Sequence, residues 1–262
     1  MWYRLLKLEN SGVQDYRERG TEMALPPLEE WRSESVRLSY FFAGEVPDDL
    51  RPGLWRSIVG SEPETATRRP AEGVVQEQGP FSGGQLLVIV GVDRIDFILV
   101  GVQRPGDTPD LGNVRMVTDE LHRAVVAGAA AVESKAIRLA CGLVGLYKSQ
   151  SREDSYSMLD DLLSSVRVDP LSRDFFYQVN RQQQSKIDQT VKLNRLSRWS
   201  AGIYKTLRFD NNSPLHDVNA VRVELDCNTS DETLILSGGE INHKLMKELI
   251  ANALSLIEEG EH

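Results

Sequence analysis

Cysteine is scarce in this chain, with only Cys141 and Cys227 among 262 residues. Two thiols make no disulfide framework. Both fall inside apolar, strand-like runs, so they are expected to be reduced core thiols, which points to a cytoplasmic location. Long apolar runs are missing too. No stretch approaches the ~20 residues of a membrane helix. Met1 to Asn10 interleaves Arg4, Lys7 and Glu9 with its apolar residues, unlike a signal peptide. A membrane partner is therefore not expected.

Patterns that carry chemistry are equally sparse. The four histidines, His122, His216, His243 and His262, stand in no metal-binding spacing with Cys, Asp or Glu. His122 lies beside an apolar helical stripe and is expected to be structural. Ser237-Gly238-Gly239-Glu240 opens a helix, but Glu240 would repel a phosphate, so capping explains it better. Ser82-Gly83-Gly84 precedes a strand rather than a helix and is no phosphate loop. The expectation is no cofactor and no metal.

What the chain has is charge segregation. Between Val179 and Arg208, Arg181, Lys186, Lys192, Arg195, Arg198, Lys205 and Arg208 face one acid, Asp188. The segment sums to +6 and the remainder to −15, for a net charge of −9. Such asymmetry points to a local positive surface for an anionic partner. The expected binding residues are Arg181, Lys192, Arg195, Arg198, Lys205 and Arg208. The partner would be an acidic protein or a nucleic acid, bound with strong salt dependence in the latter case. Internal pairing with acids elsewhere in the chain is the plainer alternative.

Hydrophobic periodicity predicts an α+β fold with antiparallel sheets backed by helices. Val36, Leu38, Tyr40 and Phe42 alternate with polar neighbours as a half-buried strand. Leu86–Val90 and Ile95–Val100 read as a hairpin covered on both faces. Thr118 is expected to cap a helix striped by Leu121, Val125, Val126 and Ala129. Ala136 to Leu146 reads as a strand whose second face, Ala136, Ala140 and Gly142, is small enough for a helix to approach. Ser151 caps a helix carrying Tyr156, Leu159 and Leu162. Val221 to Cys227 alternates as a strand, and a helix capped by Ser237 closes the chain. Residues 61–80 lack periodicity and read as a long exposed loop. Residues 195–207 read either way. A helix separates Leu196, Trp199 and Ile203 from the cations better than a strand does, despite Gly202. Trp199 is expected to anchor the core.

The order strand, short helix, strands and closing helix occurs twice. It suggests an N-terminal arm (1–33) followed by two similar α+β halves (34–131 and 132–262). A single irregular α+β domain is the alternative.

One pattern suggests an enzyme. Pro109-Asp110 followed by Glu133-Ser134-Lys135 matches the PD…ExK arrangement of metal-dependent nucleases. There, two carboxylates hold a divalent ion and the lysine positions the attacking water. A helix predicted between the two parts argues against it. The segments Asp174 to Arg181 (DFFYQVNR) and Leu193 to Ser200 (LNRLSRWS) resemble stretches of an uncharacterised family of sporadically distributed bacterial proteins. The resemblance covers the C-terminal half and implies a bacterial, cytosolic origin. It brings no activity and no site residues. The expectation is a non-enzymatic subunit or adaptor using the basic surface at 181–208, with a nuclease or nucleic-acid-binding protein as the alternative.

Overall fold

Val36, Leu38 and Tyr40 are buried on one face of their strand, while Ser35 and Arg37 on the other are half-exposed and Ser39 is buried against Asp96, to which it donates at 2.6 Å. That alternation recurs through the computed structural model, which describes residues 25–51, 53–102, 107–205, 217–231 and 238–261. The chain runs β1 (Arg32–Phe41), α1 (Leu54–Val59), β2 (Thr65–Arg69), β3 (Val74–Phe81), β4 (Gly84–Val90), β5 (Arg94–Gly101) and α2 (Val114–Lys135). It continues through β6 (Arg138–Ser149), α3 (Arg152–Leu162), β7 (Phe176–Gln184), β8 (Lys192–Lys205), β9 (Asp217–Thr229) and α4 (Gly239–Glu259). The fold is mixed α+β, as expected.

The strands form one antiparallel sheet in the order β2-β3-β4-β5-β1-β6-β9-β8-β7. Separate sheets were the expectation. Pairing of β1 with β6, for example Arg37 opposite Gly142, joins all strands into one. The helices pack on one face of this sheet and share a continuous core with it. Gly145 of β6 shows how close they come, since a Cβ there would stand 3.3 Å from Ile257 of α4.

Several elements differ from their expected form. Residues 61–80 are not a loop but contain β2 and β3, paired from Thr65–Gln78 to Arg69–Val74. Every β2 residue is exposed, so no apolar alternation marks it. In β4, Gly84, Leu86, Val88 and Val90 are buried; Leu87 and Ile89 are half-exposed on the opposite face. The cap of α2 is Asn113, whose side chain accepts from the backbone N–H of Arg115 (3.0 Å) and Met116 (3.1 Å). Thr118 sits inside the helix and donates to the Val114 carbonyl at 2.7 Å. The small face of β6 receives Arg37 rather than a helix. Residues 192–205 are strand β8, not helix. Ser151 does cap α3, accepting from the Asp154 N–H at 3.1 Å. Ser237, expected to cap α4, lies outside the described residues, as do Arg208, His216 and His262.

Candidate functional site

No helix covers the second face of the sheet among the described residues. Its side chains form rows across the strands. One row passes from Leu87 through Ile98, Arg37, Gly142 and Asp226 to Leu196. Because Gly142 has no side chain, the Arg37 guanidinium lies over it; a Cβ there would be 3.3 Å from Arg37 Nε. Arg37 Nη2 donates to Asp226 Oδ2 at 2.9 Å. In the next row, Arg198 donates to Glu224 (3.3 Å) and to Gln178 (2.8 Å). Arg222 pairs with both Glu34 (3.0 Å) and Glu224. Burial pushes the Glu224 carboxyl upward, but the Arg222 and Arg198 guanidiniums outweigh it and hold the pKa below the ordinary carboxylate value. Between these pairs lies a hollow of about 270 Å³, lined by Ile98, Val144 and Leu196 as well as by Arg37, Arg198, Glu224 and Asp226.

The strand geometry of β8 divides the basic segment. Arg181 and Arg195 stand opposite each other across β7 and β8, on the helix-covered side. Arg181 Nε donates to Glu261 Oε1 at 2.5 Å, and Ser197 donates to the other oxygen of this buried carboxylate at 2.7 Å. Arg195 donates to Gln183 at 3.3 Å. By strand alternation, Lys192 and Arg198 point to the open face. Lys205 ends β8, and its side chain lies outside the description. The cations therefore do not form one surface. Trp199 is fully buried, as expected of a core anchor.

The nuclease-like residues are not brought together. Asp110 accepts two hydrogen bonds from Arg32 Nε, at 3.0 and 3.1 Å, at the start of β1. Glu133 and Lys135 lie near the end of α2. The chain there leads directly to Ile137, whose N–H donates to Phe41 at the other end of β1. Ten residues of strand, ~30 Å, separate the two locations. Lys135 pairs with Asp49 at 2.6 Å instead.

A second constellation does assemble. His122 and Glu133 of α2 and His243 of α4 each place one ligand atom within 4.8 Å of the others. Burial, then the neighbouring His243 and Lys247, lowers the His122 pKa to about 4. Burial also raises that of Glu133, partly offset by His243 and Lys247. Sequence spacing missed this cluster because its members are 11 and 110 residues apart, and only tertiary packing joins them.

No known protein-family model, curated protein or solved structure matches this chain. The resemblance of the 174–181 and 193–200 segments gains no support from these comparisons. The functional reading rests on the geometry above.

Proposed function

We propose that this chain is a non-enzymatic subunit or adaptor that receives a protein partner on the open face of its sheet. The supporting observation is a face that no helix covers among the described residues, with its hollow between the Arg37–Asp226 and Arg198–Glu224 pairs. Half-exposed Ile98, Val144 and Leu196 supply apolar contact there. The guanidiniums can share their donors with acidic side chains of the partner, as bidentate arginine does. The basic segment enters this reading through Lys192 and Arg198, not as a whole. Nucleic acid suits the face less well, because Glu34, Glu224 and Asp226 stand among the arginines and would meet phosphates. We read residues 34–131 and 132–262 as related halves of this platform. In support, β5 returns beside β1 and β9 returns beside β6, each followed by a helix.

Affinity capture from the cells that make the protein tests the proposal. Wild type is compared with Arg198→Glu and Leu196→Asp, both on the open face. A protein retained by wild type and lost by both variants supports it. Equal retention by variants that remain folded refutes it. Labelled DNA and RNA titrated at low salt are expected not to bind.

A further inference from the structure

We infer that His122, Glu133 and His243 form a binding site for a divalent transition-metal ion of the zinc class. The inference is independent of the open-face reading, since the site lies in the helical layer.

In a straight helix, His122 and Glu133 would be ~16 Å apart along the axis. They meet because α2 is kinked at Ala129, whose φ of −137° and ψ of 33° are not helical. Past the kink, the last turns of α2 carry Glu133 back toward His122. The first turns of α4 bring in His243. Asn242 holds this junction by donating to the carbonyls of Glu133 (2.7 Å) and Ala136 (2.8 Å).

The local chemistry leaves ligand atoms unsatisfied. His122 is 7% exposed and Glu133 5%, yet His122 Nε2 and Glu133 Oε1 have no hydrogen-bond partner. Buried polar atoms without partners are costly, and a bound ion is one of the things that satisfies them. His243 Nδ1 is 3.3 Å from Glu133 Oε2. Zinc bonds of ~2.0–2.1 Å at tetrahedral angles imply ligand separations of about 3.4 Å, so this edge of the site is already formed. The two imidazoles stack with centroids 5.4 Å apart. His243 is 30% exposed on its side chain, and its ligand atom lies within 4.8 Å of that of His122. Two imidazoles and one carboxylate are a donor set that suits zinc and leaves a fourth position open. The Tyr40 hydroxyl is also buried without a partner, and lies near enough to Glu133 for that charge to add to the burial that raises the tyrosine pKa. An ion here ties the kinked end of α2 to α4.

The test is calorimetric titration of the full chain with Zn²⁺, paired with Co²⁺ substitution read by visible absorption. His243→Ala and Glu133→Gln serve as variants. The first removes a part-exposed ring, and the second conserves volume, so both leave the metal-free fold measurable by circular dichroism. One Zn²⁺ per chain, a tetrahedral Co²⁺ spectrum, and a loss of roughly tenfold or more in affinity in both variants are expected. Absence of binding, or binding unchanged in the folded variants, overturns the inference, the latter by placing the ion elsewhere.

Discussion

Trp31 meets Trp199 edge to face, with ring centroids 6.4 Å apart and planes at 82°, and both are fully buried. Trp31 immediately precedes β1, whereas Trp199 lies on β8, three places away in the sheet. Trp31 reaches across the sheet over Gly145 of β6, where a Cβ would stand 3.5 Å from its ring and 3.2 Å from Val223 of β9. The first and second stretches of the chain therefore share one core. Trp199→Ala is expected to destabilise the fold by ~3–5 kcal/mol. Trp199→Phe should cost less, since it also removes an indole N–H that has no partner. Urea unfolding followed by far-ultraviolet circular dichroism and by tryptophan fluorescence should give one coincident transition. Two resolved transitions would contradict the shared core.

Glu224 connects Arg222 and Arg198 on the open face. Against the upward push of burial, the Arg222 and Arg198 guanidiniums hold its pKa below the ordinary carboxylate value in the folded state. A depressed carboxylate contributes stability that is present above its unfolded pKa and is lost as pH falls through its folded value. Glu224→Gln should therefore be less stable than wild type at neutral pH, by at most ~1 kcal/mol because solvent screens the partly exposed pair. The difference should shrink in acid, below about pH 4. Denaturant midpoints from pH 3 to 8 measure this. A gap that stays constant across the range would show that the ion pairs are not its cause.

Strands with one clean apolar face were legible in the sequence, whereas β2, β3 and β8 were not. Val221 to Cys227 alternates because the opposite face is partly exposed, and Val36 to Tyr40 alternates in residue type because its opposite face is polar. Cys141 and Cys227 were expected as buried thiols, and they are free, buried and opposite each other across β6 and β9. β2 left no trace because none of its five residues is buried. β8 looked helical because Arg195 occupies the core-facing side, where Gln183 accepts its hydrogen bond, and so breaks the alternation. Neither candidate site could be read beforehand. The open face depends on strand order, which places Arg37 beside Asp226 across 189 residues. The histidine cluster depends on a helix kink that no residue pattern announces.

That kink adjoins a close approach between helices. Gly128, one residue before Ala129, packs against the backbone of α1. A Cβ at Gly128 would collide with the Ser57 carbonyl oxygen and come within 2.8 Å of the Ile58 α-carbon. Helix propensity alone favours Gly128→Ala by up to ~1 kcal/mol. The collision is with backbone, which cannot rotate away as a side-chain end could, and overpacking of this kind costs ~1–3 kcal/mol. The steric cost outweighs the propensity gain, so Gly128→Ala should lower the thermal midpoint. Ala127→Gly provides the control, because Ala127 is exposed on the same helix and loses only propensity. If Gly128→Ala instead raised the midpoint, α1 would have to be able to move away from α2 at little cost, and the tight seat of α1 against the kink would be wrong.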